Sequence, residues 1–137
     1  SGTVNLAVNT ELNGFAAPSL TSVAGTLNLG GGTSMSSFSA PLLASVTGTV
    51  DISGSVVASF SIPASIASAN GFVFSVSDGS LNTATVNAIL DAFNAGKAGT
   101  TSGFIGLSGG TNAAPTGGSG RASVVALRAA GITVNIN

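Results

Sequence analysis

The first half of the chain is a threefold repeat of one segment about 23 residues long. The three repeats are residues 3–25, 26–48 and 49–71, each beginning with Thr and ending with Gly. Phe15, Phe38 and Phe60 each stand three residues before a proline, the third pair one position early. A fixed period of about 20–50 residues is typical of stacked repeat proteins, because one unit buries its apolar side only against its neighbours. The repeat therefore predicts a solenoid.

Each repeat opens with a short strand pattern, written TVNL, TLNL and TVDI in the three copies. An aliphatic residue alternates with a polar one, as in a strand with one buried face. We expect these strands to pair in a parallel sheet, with the three phenylalanines stacked in an internal ladder, each contributing about 1.5–3 kcal/mol of burial. The aliphatic residues predicted to face inward are Val4, Leu6, Leu27, Leu29, Val50 and Ile52.

The second half, residues 72–137, begins with the strand pattern FVFSV and then adds helical patterns. Val86, Ile89, Leu90 and Phe93 follow the i, i+3, i+4, i+7 spacing of a helix with one apolar face. This spacing predicts a helix that packs its apolar stripe on the solenoid.

Local signals set the boundaries of the elements in this half. Asn82 or Thr83 is a suitable N-cap for the first helix, and Gly96 with Lys97 is a suitable stop. The remaining predicted elements are a strand at 104–107, a short helix around 121–130 and a strand at 132–136. The sequence thus predicts a single α/β solenoid domain over residues 1–137, with about six short parallel strands, 23-residue turns and two short helices.

A longer motif in the repeats resembles a known family. The phrase F-x-x-P-x-L-x-x-V-x-G-x-L-x-L, carried by residues 15–29 and, with Val and Ile in place of the last two Leu, by residues 38–52, resembles the leucine-rich-repeat solenoids of the receptor L-domain type, including those of fungal cell-wall proteins. The second half, with VNAILDAF, LSGGTNAAPTG and VVALRAAGITVNIN, is similar to repeats of large bacterial surface and phage structural proteins. These resemblances imply a leucine-rich-repeat-like solenoid, a fold that serves adhesion, receptor binding and scaffolding alike.

The chain is unusually poor in charge. Only seven of its 137 residues are charged, against about 25% in ordinary domains. Three basic residues cannot form the phosphate-binding patch of a nucleic-acid-binding protein, and no apolar run reaches the length of about 18 residues that spans a membrane. The Ser- and Thr-rich composition and the first residue, Ser rather than Met, favour a processed extracellular protein that is secreted or lies on a cell or virion surface.

The sequence offers no reactive constellation. His and Cys are absent, and the carboxylates Glu11, Asp51, Asp78 and Asp91 lie in different turns without metal-ligand spacing. The glycine-rich run at residues 117–121 lacks the lysine of a phosphate-binding loop, and we expect it to be a flexible connection. No enzyme activity, cofactor or metal is therefore predicted.

Polar residues that repeat with the strands form a candidate ligand face. Its members are Thr26, Asn28, Thr49 and Asp51, and the phrase recurs at Thr3, Asn5, Thr133 and Asn135. Regular Thr arrays occur in ice-binding proteins and polar ladders can bind sugars, but the favoured interpretation is an ordinary exposed sheet. The array has few rungs, and Phe72 and Phe74 are expected to replace it in the fourth strand. No N-x-[ST] motif exists, so any glycan on the chain is expected to be O-linked.

The two ends of the predicted solenoid carry matching strands. TVNL begins at Thr3 and TVNI ends at Ile136, with no capping segment of the kind that leucine-rich-repeat domains usually carry. Because bare strand edges recruit strands from other chains, the sequence predicts a structural subunit that stacks end to end into a fibre. The predicted interface consists of Thr3, Val4, Asn5, Leu6, Ile132, Thr133, Val134, Asn135 and Ile136. The alternative is a glycan- or receptor-binding segment of a phage tail fibre or bacterial adhesin.

Overall fold

A computed structural model describes residues 2–137 and contains short strands and two helices in that range. The first repeat holds β1 (Thr3–Asn5), β2 (Gly14–Ala16) and β3 (Ser22–Val23). The second holds β4 (Thr26–Asn28), β5 (Ser37–Ser39) and β6 (Ser45–Val46). The third holds β7 (Thr49–Asp51), β8 (Ser59–Ser61) and β9 (Ala67–Ser68). The second half consists of β10 (Phe72–Ser75), α1 (Thr83–Gly96), β11 (Gly103–Leu107), α2 (Gly117–Ala129) and β12 (Ile132–Ile136).

The strands form three parallel sheets. The main sheet has the order β1-β4-β7-β10-β11-β12, and two smaller sheets have the orders β2-β5-β8 and β3-β6-β9. The six parallel strands and two helices predicted from the sequence are confirmed, whereas the two smaller sheets were not predicted. The 23-residue turn holds from Thr3 to Thr26 and Thr49, but the step from Val73 to Phe104 is 31 residues. The 23-residue turn is therefore limited to the three repeats, and the second half is irregular because helices lengthen its connections.

The predicted phenylalanine ladder forms the centre of the core. Phe15 stacks on Phe38 with ring centroids 5.6 Å apart, and Phe38 stacks on Phe60 at 4.9 Å. Phe60 contacts Phe74 edge to face at 6.2 Å, and Phe74 lies 4.9 Å from Phe93 of α1. One continuous apolar core thus runs from the repeats into the helical half.

Helix α1 follows the sequence prediction. The Oδ1 atom of Asn82 accepts a hydrogen bond from the backbone N–H of Thr85 at 2.9 Å, which caps the first turn. The four residues of the predicted apolar stripe are all fully buried. The N–H of Ile66 donates to the carbonyl of Ala92 at 3.0 Å, so α1 packs against the third repeat where the two smaller sheets end.

Helix α2 begins earlier than predicted. It starts at Gly117, so the glycine-rich run forms its first turn, and the expectation of a flexible connection is wrong. The reason is helix packing: a Cβ at Gly120 would collide with the side-chain amide of Asn87 in α1. Glycine lets the two helices approach closely here, at the cost of weak intrinsic helix propensity.

The same left-handed turn ends each of the first five strands of the main sheet. Val8, Gly31, Gly54, Asp78 and Gly109 have φ values between 55° and 85° (57°, 72°, 72°, 60° and 82°). Each of the first four donates its backbone N–H to a carbonyl in the next turn, and the acceptor is always the residue just before the next member of the series. For example, Val8 donates to Gly30, which precedes Gly31. These five residues therefore occupy one structural position, which favours glycine and is unfavourable for a β-branched residue such as Val8.

Candidate assembly ends and outer sheet face

The first repeat lies at the open end of the stack. Its three strands β1, β2 and β3 are edge strands of the three sheets. Val4 and Leu6 are 51% and 38% exposed, although Leu27 and Leu29, one repeat further, are 4% and 0% exposed. The aliphatic residues were predicted to face inward, and they do so throughout the three repeats. Those of the first repeat are exposed because, within residues 2–137, β1 has no neighbouring strand on its other side.

A groove of about 330 Å³ opens at this end, between the edge strands. Apolar side chains from all three strands contribute to its lining, among them Val4, Phe15 and Val23. Phe15 is only half-buried, whereas its counterpart Phe38 is fully buried. The groove is therefore the unfilled continuation of the phenylalanine ladder.

Val8 adds an exposed apolar side chain to the same end. It is 75% exposed and has a φ of 57°, where the next two repeats have glycine. A β-branched residue in this conformation is strained by about 1–3 kcal/mol. Of the six large apolar residues that are exposed in residues 2–137, three lie in the first eight positions (Val4, Leu6 and Val8). Sequence reasoning missed Val8, although its alignment with Gly31 and Gly54 was a usable signal.

At the opposite end of the main sheet, the inner face of the last strand is covered by the chain itself. Ile132 and Val134 of β12 are each only 2% exposed, and α2 packs against this strand. Val134, a member of the predicted interface, therefore has almost no apolar surface left to bury in an assembly. Ile136 remains half-buried beside a groove of about 290 Å³ that includes Val125, a 69% exposed residue of α2.

Arg128 occupies the free edge of β12. Its Nη2 atom donates a hydrogen bond to the carbonyl oxygen of Val134 at 2.6 Å. In a parallel sheet, alternate residues bond to opposite neighbours. The N–H of Val76 donates to the carbonyl of Gly106 at 2.8 Å, so Gly106 bonds toward β10 and the preceding residue, Ile105, bonds toward β12. In the register pair of Ile105 and Val134, Ile105 is thus the residue that bonds across the pair. The carbonyl of Val134 therefore points away from β11, to the side on which a further strand would add.

The two ends carry opposite charge. Glu11 is exposed in the first repeat, and Arg121 and Arg128 are exposed on α2. These three residues are almost half of the seven charges in the chain. The first repeat therefore carries one acidic residue and α2 carries two basic ones, although Asp91 of α1 also contacts α2 through Ser123.

The candidate ligand face lies on the outer side of the main sheet. Thr26 pairs with Thr49 and Asn28 pairs with Asp51, and all four residues are half-buried. One oxygen of each acidic or amide side chain is already used, because Gly30 N–H donates to Asn28 Oδ1 and Ser53 N–H donates to Asp51 Oδ1, both at 3.0 Å. These turns leave the second oxygen or amide group of each side chain for other partners.

The columns of this face reach both edges of the sheet, but Val73, Ser75, Phe104 and Gly106 replace Thr and Asn in the fourth and fifth strands. Phe104 pairs with Thr133 and Gly106 pairs with Asn135, so the last strand continues the Thr and Asn columns. The expectation that Phe72 and Phe74 would replace these residues is wrong. Val73 and Ser75 pair with Thr49 and Asp51, and both phenylalanines are fully buried. The physical reason is the length of the connection into β10. The step from Thr49 to Val73 is 24 residues, one more than the step from Thr26 to Thr49, so the residues that face outward in β10 are Val73 and Ser75.

Phe104 is an aromatic side chain on this outer face. It pairs in register with Val73 and Thr133, which places it in the threonine column, and it is half-buried. Its ring lies over Gly106, where an added Cβ would come 2.7 Å from the ring. The hydroxyl groups of Ser75 and Ser77 line the other side of Gly106. Sequence reasoning placed Phe104 in a strand but did not assign its face.

The comparisons with known proteins leave the family open. No family model matches the chain, and no curated protein or solved structure is significantly similar to it. Among residues 2–137, no helix is both long and apolar enough to cross a membrane. No cluster of three potential metal-ligating His, Cys, Asp or Glu residues occurs in the same range.

Proposed function

We propose that this protein is a structural extracellular subunit that stacks end to end into a fibre, and that its fold is a short leucine-rich-repeat-like solenoid. The observation that carries the proposal is the open first repeat. Three unpaired strand edges surround an apolar groove that Val4 lines, and Leu6 and Val8 are exposed in the same repeat. Soluble proteins usually protect such edges, because they pair with strands of other chains.

The register of the sheet defines the proposed junction. Continuing the columns across it places β12 of one copy beside β1 of the next, with Thr133 opposite Thr3 and Asn135 opposite Asn5. Val4 and Leu6 then lose their contact with water, as the equivalent residues of the second repeat already have. Burial of this apolar surface supplies the driving force, and the new backbone bonds fix the direction.

Charge supports a head-to-tail junction over a head-to-head one. A head-to-tail junction brings Glu11 of one copy toward the end of its neighbour that carries Arg121 and Arg128. A head-to-head junction would instead bring two copies of Glu11 together. Opposite charges favour the first arrangement and like charges disfavour the second. A head-to-tail contact repeats without closing when its rotation does not form a ring, which produces a filament.

The experiment compares two charged substitutions by negative-stain electron microscopy and light scattering. Val4→Asp places a carboxylate at the open end, whereas Val56→Asp places one at a residue of similar exposure in the third repeat (51% and 49%). We expect filaments from the wild type and from Val56→Asp, and monomers from Val4→Asp. Monodisperse wild-type monomers at high concentration would contradict the proposal.

A second candidate function is favoured by one observation, the position of Phe104. An aromatic ring beside Thr133 and the hydroxyl groups of Ser75 and Ser77 offers an apolar platform with polar neighbours, an arrangement that suits the apolar face and hydroxyl rim of a sugar ring. In this alternative the chain is the glycan-binding segment of a phage tail fibre or bacterial adhesin. Retention on insoluble polysaccharides that Phe104→Leu abolishes, without loss of stability, would support it.

A further inference from the structure

The free edges of β12 and β1 also differ in how their outward-facing backbone groups are bonded. The outward-facing carbonyl of Val134 accepts a hydrogen bond from Arg128, a charged side chain that reaches back from α2. Just after β1, the N–H of Ala7 donates instead to the neighbouring Asn5 side chain, at 3.0 Å. The same internal turn occurs at Asn28 in the second repeat, where a strand is already paired alongside. The Asn5 turn is therefore compatible with pairing, whereas Arg128 competes with it.

We infer that Arg128 guards the β12 edge and that its release from Val134 is the step that regulates end-to-end assembly. This inference rests on the proposed function. In the register of the sheet, the backbone N–H of Asn5 in the next copy would donate to the carbonyl of Val134. Arg128 donates to that acceptor first, and its guanidinium lies beside the edge along which the incoming strand would pair.

Physical chemistry sets the size and direction of the effect. A hydrogen bond from a charged donor is about twice as strong as a neutral one, so the incoming N–H alone does not displace Arg128 easily. Charged side chains at free strand edges are a common protection against unwanted pairing. Arg128 is one of only three basic residues in the chain, and it is the one that reaches the β12 edge. Removing it leaves an unoccupied acceptor on a strand whose inward-facing side chains Ile132 and Val134 are already buried.

Arg121 provides a matched control on the same helix. It has the same charge and is also exposed, but its Nε atom donates to the carbonyl of Pro115 and not to β12. Arg128→Ala and Arg121→Ala therefore change the net charge equally, and only Arg128→Ala frees the strand edge.

The experiment measures pairing at β12 without requiring fibres. A fluorescent peptide with the sequence of residues 2–8 is titrated into full-length protein carrying Val4→Asp, which blocks the first repeat, and binding is followed by anisotropy. We expect Arg128→Ala to bind the peptide about tenfold more tightly than the Val4→Asp parent. Arg121→Ala should bind it like the parent, and a peptide carrying Val4→Asp should bind more weakly.

Three other outcomes would contradict the proposal that Arg128 blocks pairing at the β12 edge. The proposed role of Arg128 is wrong if the parent and Arg128→Ala bind the peptide with equal affinity. It is also wrong if Arg121→Ala gains as much affinity as Arg128→Ala, or if Arg128→Ala does not bind the peptide. Failure of the proposed function looks different: wild-type protein would form no fibres in the microscope. The peptide could still bind Arg128→Ala more tightly in that case. Fibres whose growth rate is the same with and without Arg128 would retain the proposed function and remove the regulation.

Discussion

In the first three repeats the chain passes through three short strands in each turn, whereas after Phe72 each return to the main sheet passes through a helix. A strand satisfies its backbone only through neighbours on both sides. A helix satisfies most of its backbone internally, and so it can lie at the end of a stack without a partner. The strand-only end of the molecule is accordingly open, and the helical end buries its last strand with α2.

The largest effect is expected in the phenylalanine ladder. Phe38→Ala should lower the free energy of unfolding by about 3–5 kcal/mol, because Phe38 is fully buried between two stacked rings. Phe15→Ala should cost about half as much, since Phe15 has a ring on one side only. Urea unfolding followed by far-ultraviolet circular dichroism measures both, as the chain has no Trp or Tyr. Equal losses in dilute solution would mean that the first repeat is not open.

A smaller loss of unfolding free energy is expected in the helical half, where one side chain bonds to backbone groups that no strand pairs. Asn112 is buried, accepts from the N–H of Leu81 at 2.9 Å and donates to the carbonyls of Val76 and Leu107. Asn112→Ala should cost about 2–3 kcal/mol, because it leaves buried backbone groups unpaired. The control is Asn9→Ala, whose exposed turn bond should be worth at most about 0.5 kcal/mol. A cost below about 1 kcal/mol for Asn112→Ala would contradict this role.

Val8 and Gly31 allow a reciprocal exchange between the open repeat and its covered neighbour. Val8→Gly should raise the free energy of unfolding by about 1 kcal/mol, since glycine adopts the left-handed conformation without strain. Gly31→Val should lower it by about 1–2 kcal/mol for the converse reason. The same urea titration tests both. If fibres form, Val8→Gly should weaken them although it stabilises the monomer.

The smallest effect concerns charge at the junction. At low salt, Glu11→Arg should need a concentration about threefold higher than the wild type to assemble. The effect is this small because an exposed ion pair is worth at most about 1 kcal/mol. The concentration that Glu11→Gln needs to assemble should lie between those of the wild type and Glu11→Arg. Light scattering at low salt and at about 1 M salt, where such charges are screened, measures the difference. A difference that persists at high salt would argue against an electrostatic origin.

Periodicity predicted the parts of the fold in which each residue type repeats. The strand positions, the 23-residue register of the first half and the apolar stripe of α1 all follow from spacing alone, because burial on one face leaves a fixed period. The phenylalanine ladder was predictable for the same reason. The one-position shift of Phe60 is tolerated because the ring still pairs in register with Phe38.

Other features depend on contacts that spacing does not contain. The two smaller sheets consist of strands of two or three residues, too short for a visible alternation. The start of α2 at Gly117 depends on the close approach to Asn87. Within the candidate interface, β1 is an edge strand, and the burial of Val134 and its bond to Arg128 arise from how α2 folds back, which only the structure reveals.

The most direct test of the proposed assembly is the axial repeat of the filaments. Six strands at a spacing of about 4.8 Å give about 29 Å per subunit along the fibre. Fibre diffraction or cryo-electron microscopy of concentrated wild-type protein should therefore show a 4.8 Å strand spacing parallel to the axis with a subunit repeat of about 29 Å. A solution that stays monomeric, or closed dimers joined through two first repeats, would contradict the account.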